Sequence, residues 1–123
     1  IPGMCGIVSA IYDIPVGEAW PLERILKLKE TVEAAGLELS DINWLVPHQA
    51  NTRIIDAVGR QLGMDASKVV VNIQKLGNTT AASIPLALKE AVNDGRIKKG
   101  DNVLIVAFGA GLTWGSSVFR WEK

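Results

Sequence analysis

This sequence predicts an α/β fold in which a β-sheet is covered by helices, and three observations predict it. Short apolar, β-branched runs at residues 44–46, 69–71 and 102–108 alternate with stretches of helical periodicity at 22–35, 52–62 and 81–93. Gly36, Gly63 and Gly95 stand where those helices should stop. Two successive strands, 102–108 and 113–121, finish the alternation.

Taken in order, residues 6–14 alternate and carry β-branched and aromatic side chains, which reads as a strand ending near Pro15 and Gly17. Pro21 suits a first helical turn. Beyond it Leu22, Ile25, Leu26, Leu28, Val32 and Ala35 recur at helical spacing, with Glu23, Arg24, Lys27, Lys29 and Glu30 largely on other faces. Ser40 and Asp41 turn the chain into Trp44-Leu45-Val46, a buried strand ended by Pro47, and His48 follows at once. Ile54, Ile55, Val58 and Leu62 share one face of the next helix. After the strand candidate at 69–71, Leu76-Gly77-Asn78-Thr79-Thr80 has the composition of a strand-to-helix turn, with Thr79 or Thr80 able to cap the helix that follows. The run 102–108 reads as a buried strand, and Gly109-Ala110-Gly111 as a loop before the last strand.

The 123 residues, 48% of them apolar, suffice for one domain with one core. Lys plus Arg and Asp plus Glu both number 13, so nothing in the charge balance points to nucleic acid or an anionic membrane. Cys5 is the one cysteine, and no Cys/His cluster has zinc spacing, which fits a reducing, cytoplasmic setting. The opening Ile-Pro-Gly-Met-Cys-Gly-Ile-Val carries no charged segment. No apolar run approaches the roughly 20 residues that span a bilayer. The expectation is a soluble protein without a targeting signal.

Groups suited to catalysis near neutral pH are few: one histidine and one cysteine. His48, directly after a strand, has the position of a scaffolded functional residue and equally that of a hydrogen-bonded structural histidine. Asn78 can donate a hydrogen bond without a change of charge, or simply make a turn after Gly77. Gly109-Ala110-Gly111 can offer backbone N–H groups to a ligand or merely join two strands. Gathered at neighbouring strand ends, these donors suit chemistry in which a carbonyl oxygen gains negative charge. No convincing nucleophile accompanies them.

The run Trp44-Leu45-Val46-Pro47-His48-Gln49-Ala50-Asn51 resembles the histidine signature of β-ketoacyl-acyl carrier protein synthase III, a thiolase-superfamily condensing enzyme that initiates bacterial fatty-acid synthesis. Gly77-Asn78-Thr79-Thr80-Ala81-Ala82-Ser83-Ile84-Pro85 resembles its asparagine signature, and Phe108-Gly109-Ala110-Gly111-Leu112-Thr113-Trp114-Gly115 its C-terminal glycine loop. With Asp94-Gly95-Arg96-Ile97-Lys98, the likeness runs from about Val32 to Trp121. Residues 2–10 resemble the strand that opens the family's C-terminal half, and between them and Leu22 the chain looks several dozen residues shorter than the family. The resemblance implies a thiolase-like half over 1–123, with a mixed β-sheet flanked by helices; 1–21 are atypical or truncated and 22–123 match closely. Two such halves stack as αβαβα in the family, which is usually dimeric. The nucleophile-bearing N-terminal half is absent from these residues.

For individual residues the resemblance implies His48 and Asn78 as catalytic donors to the malonyl thioester carbonyl, with both side chains facing one cleft. It implies Gly109, Ala110 and Gly111 as an oxyanion loop, Ala110 standing where many relatives have glycine. Arg53 matches a carrier-protein contact, and Asn51 and Phe108 lie near substrate. Cys5 aligns with an apolar core position and is not the nucleophile. The implied reaction is an acyltransferase's decarboxylative condensation of acyl-CoA with malonyl-acyl carrier protein, using a coenzyme A thioester as substrate and no cofactor or metal. Expected partners are acyl carrier protein, acyl-CoA and a second copy or the N-terminal half, with no nucleic acid or membrane. Two alternatives stand beside it. One is a family member acting on another thioester. The other is an inactive half-fold that associates: with Trp20, Trp44, Trp114, Trp121 and segments 104–108 and 118–119 as a large apolar complement, a single half would leave apolar helix surface or an unpaired strand edge exposed.

Overall fold

A computed structural model describes residues 4–7, 22–108 and 113–123. Its strands are β1 (Met4–Ile7), β2 (Trp44–Pro47), β3 (Asn102–Phe108) and β4 (Trp114–Arg120). Its helices are α1 (Leu22–Ala34), α2 (Thr52–Gln61), α3 (Ile73–Leu76) and α4 (Ser83–Asn93). The sheet order is β1-β4-β3-β2, with β2 parallel to β3 and the other pairs antiparallel. A parallel pair cannot be joined by a hairpin, so the chain between β2 and β3 leaves the sheet and returns through α2, α3 and α4. The sheet is therefore mixed.

Strand alternation sorts the apolar side chains onto two faces. Leu45, Leu104, Val106, Trp114 and Val118 face a core completed by Leu28 and Val32 of α1 and Val58 of α2. Val46 and Val103 face the opposite core, closed by Ala87 and Ala91 of α4. Complete burial of side chains such as Leu104 and Val46 contributes about 1.5–3 kcal/mol each. Thr31 of α1 and Ser116 of β4 share a buried hydrogen bond of 2.9 Å, which fixes how that helix lies on the sheet.

The expected helices and the last two strands are present within a residue or two of the expected bounds. Gly36 has φ +75°, the left-handed conformation that lets glycine end α1. Three expectations change. Residues 69–71 form no strand; Val69 makes only an isolated bridge to Leu45, and Val70 N–H donates to Leu45 O at 2.8 Å before the chain turns away. Asn78 consequently lies in a helix-to-helix turn rather than after a strand. Neither Thr79 nor Thr80 caps a helix through its side chain, and α4 is entered through a single 3₁₀ turn over Thr80–Ala82.

The three described tryptophans pack to different degrees. Trp114 is buried in the first core, while Trp44 and Trp121 are half-buried against the second. Trp44 Nε1 also donates to Asp101 Oδ2 at 3.1 Å. Trp20, and the strand expected beyond Ile7, lie outside the described residues.

Candidate active site

His48 begins where β2 stops. Its backbone N–H donates to Val106 O at 2.7 Å, so the ladder to β3 runs one residue past the strand and fixes the histidine at the sheet's end. The half-buried ring makes a hydrogen bond between Nδ1 and the hydroxyl of Ser83, the first residue of α4. Burial lowers the His48 pKa from 6.5, because desolvation disfavours imidazolium, and the ring is neutral around pH 7. Nε2 has no partner among the described residues.

Gln49 secures that loop from inside. Its side chain is 1% exposed and uses both ends: Nε2 donates to Pro47 O at 2.8 Å and Val70 O at 3.2 Å. Oε1 accepts from the backbone N–H groups of Asn72 at 2.9 Å and Ile73 at 3.2 Å. The loop holding His48 is thereby tied to the start of α3. Four residues of helix and Gly77, at φ +69° and ψ −163°, then lead to Asn78. Such a backbone is accessible essentially to glycine alone.

Asn78 is exposed, and its Oδ1 accepts from Thr80 N–H at 2.9 Å. Thr80 has φ +54°, the one positive value at a non-glycine residue among those described. With Oδ1 engaged, the Asn78 amide nitrogen keeps its donors for another group. Asn78 and His48 thus meet the same helix end, His48 through Ser83 and Asn78 through the turn that runs into Ser83.

The other candidates are distributed as follows. Asn51 has a structural role, since its Oδ1 accepts from Ile54 N–H at 3.0 Å and caps α2. Arg53 is exposed in the first turn of α2. Phe108 ends β3 opposite Trp114, and Cys5 lies in β1 opposite Val118. Gly109, Ala110 and Gly111 lie outside the described residues. No group of three or more His, Cys, Asp or Glu side chains able to hold a metal ion occurs among the described residues, and none of their helices is long and apolar enough to cross a membrane. Sequence reading assigned no role to Gln49 or Ser83. The signal available was a serine opening a helix whose next residues, Ile84 to Leu88, are all apolar, and an amide directly beside the only histidine.

The family described as 3-Oxoacyl-[acyl-carrier-protein (ACP)] synthase III C terminal matches residues 32–121. The β-ketoacyl-[acyl-carrier-protein] synthase III of Clostridioides difficile (strain 630) is 56% identical over 101 residues, covering 79% of this chain and 31% of that protein. That of Alkalilimnicola ehrlichii is 59% identical over 100 residues, covering 81% of this chain and 30% of that protein. The chain therefore spans about a third of the length of these relatives. Among solved structures, the 3-oxoacyl-[acyl-carrier-protein] synthase III of Aquifex aeolicus VF5 superposes with a TM-score of 0.77 at 46% identity, over 81% of this chain and 33% of that one. The Thermus thermophilus synthase III superposes with a TM-score of 0.80 at 40% identity, over 97% and 46%. The mixed sheet flanked by helices is thus the thiolase-like half that the motifs implied. With the match running from residue 32 to residue 121, the chain belongs to the 3-oxoacyl-[acyl-carrier-protein] synthase III C-terminal family.

Proposed function

We propose that this chain is the donor-bearing half of a β-ketoacyl-acyl carrier protein synthase III, with His48 and Asn78 as its catalytic side chains. One observation carries the reading: each side chain has one polar atom engaged by a neighbour, His48 Nδ1 by Ser83 and Asn78 Oδ1 by Thr80, and a nitrogen left for a further partner. Two such donors addressing one thioester oxygen stabilise an enolate more than the starting carbonyl, which is what lowers a barrier.

In the reaction, the bond between the malonyl carboxylate carbon and the α-carbon breaks and carbon dioxide leaves. The electron pair passes into the enolate whose oxygen His48 and Asn78 hold. The enolate carbon then attacks an acyl group carried as a thioester on a cysteine of the complementary half. A carbon–carbon bond forms and the cysteine thiolate departs. Acyl-CoA supplies the acyl group and acyl carrier protein delivers the malonyl group, with Arg53, exposed in the first turn of α2, as a contact for the acidic carrier. Gly109-Ala110-Gly111 would supply backbone donors to the acyl carbonyl, and Asn51 and Phe108 would flank the substrate. On this reading the protein works in the cytoplasm, as a pair of halves that dimerises.

The test joins this chain to the N-terminal half of the Clostridioides difficile relative and follows carbon dioxide release from malonyl-acyl carrier protein. Activity that falls at least about 100-fold in both His48→Ala and Asn78→Ala supports the reading. Full activity in either variant sinks it.

A further inference from the structure

We infer that Ser83 is a positioning residue that fixes the tautomer of His48, holding the ring proton on Nε2. The inference rests on the catalytic reading above and deepens it.

Ser83 is only 2% exposed, so its hydroxyl must find its partners inside the protein. The oxygen accepts from the backbone N–H of Gln49 at 3.3 Å. That leaves the hydroxyl hydrogen in need of an acceptor. A serine at the start of a helix can bond back to the carbonyl four residues earlier. Here that carbonyl is Thr79 O, which already accepts from Ala82 N–H at 3.2 Å and from Thr80 Oγ1 at 2.8 Å. The remaining partner of the Ser83 hydroxyl is His48 Nδ1. A nitrogen that accepts has no proton, so in the neutral ring the proton lies on Nε2. Gln49 serves the same end from the other side: its backbone N–H occupies the serine oxygen, while its buried side chain keeps that N–H in place. Burial lowers the His48 pKa, and a donor to Nδ1 acts in the same direction by favouring the neutral ring. The consequence is a histidine that reaches the developing enolate as an N–H donor without first taking up a proton.

His48 is the one histidine among the 123 residues, so histidine-specific ¹⁵N labelling of this chain gives one set of ring signals. The expected result is the Nε2–H pattern in the wild type above its titration. In Ser83→Ala the ratio of Nε2–H to Nδ1–H should fall about tenfold, the scale of one neutral hydrogen bond. The titration midpoint should rise, because the donor that favoured the neutral ring is gone. Ser83→Thr keeps the hydroxyl and should restore both. A wild-type Nδ1–H pattern overturns the inference, as does a midpoint that falls in Ser83→Ala, since either makes Nδ1 the donor. Because the wild-type tautomer is read directly, a variant that fails to fold removes nothing from the test. A fused enzyme active without His48 would refute the catalytic reading and leave the tautomer result standing; an active enzyme with Nδ1–H would do the reverse.

Discussion

Gln49 Oε1 accepts the backbone N–H of Asn72 across 23 residues of sequence, at 2.9 Å, and this bond takes the place of a strand ladder beside β2. Four hydrogen bonds converge on that one buried amide. Gln49→Met, similar in shape, should strand two carbonyls and two N–H groups and lower stability by about 2–4 kcal/mol. Gln49→Glu keeps the acceptor but sets oxygen lone pairs against Pro47 O and Val70 O, so its loss should be at least as large above neutral pH. Urea denaturation of the three proteins measures this. Variants that unfold at the wild-type midpoint would show that the amide bonds contribute nothing net.

Asn78→Asp separates the two roles of that side chain. A carboxylate can still accept from Thr80 N–H, so the turn with Thr80 at φ +54° should survive. What disappears is the amide donor, and a negative charge now faces the enolate. Stability should stay within about 0.5 kcal/mol of wild type, while decarboxylation by the fused enzyme should fall by about 100-fold or more. A variant that loses activity only in proportion to lost stability would reduce Asn78 to a turn residue.

The same two residues show what could be read from sequence and what could not. β3 was legible because Val103, Leu104, Ile105 and Val106 form a continuous apolar run, as a strand covered on both faces requires. The helices were legible from periodicity and from the glycines that end them. Residues 69–71 misled because their β-branched composition suits a strand, yet the N–H groups just beyond are claimed by a glutamine 23 residues earlier. Thr79 and Thr80 misled because capping needs an extended backbone at the cap, and Thr80 is left-handed. His48 and Asn78 were singled out through their motifs. Ser83 was not, because its significance depends on a contact across 35 residues.

Association offers a third expectation. With Trp114 buried and Trp44 and Trp121 half-buried against the cores, the large exposed apolar side chains among the described residues are Leu26 on α1 and Leu76 on α3, at 45% and 47% exposure. Leu76 stands two residues before Asn78, at the site itself. If the complementary half covers it, Leu76→Ser should weaken pairing of separately produced halves by about tenfold, as losing one buried leucine contact would, and Leu26→Ser should serve as the comparison. Titration calorimetry with equal affinities for Leu76→Ser and wild type would place Leu76 outside that interface.

The pH dependence of stability follows from the burial of His48. In the unfolded chain this ring takes up a proton near 6.5, whereas in the folded protein desolvation holds its pKa lower. Between those two values the unfolded state binds more protons than the folded one, so stability rises with pH through the window and is level above it. Seen from the other side, stability is fully present above 6.5 and is lost as pH falls through the folded value. The carboxylates act in a separate window. Glu90 is held low first by the hydrogen bond from Lys75, and Asp94 by that from Arg96, and they matter only as pH drops below 4.5 and 3.8. Chemical denaturation between about pH 8 and about pH 5 should therefore show a decline in the wild type that is absent from His48→Gln, which cannot titrate. The sign would reverse if Nδ1 carried the proton toward Ser83 strongly enough to raise the pKa, and stability would then grow on acidification. Equal declines in the two proteins would assign the loss to other groups and leave His48 without a protonation cost in the folded state.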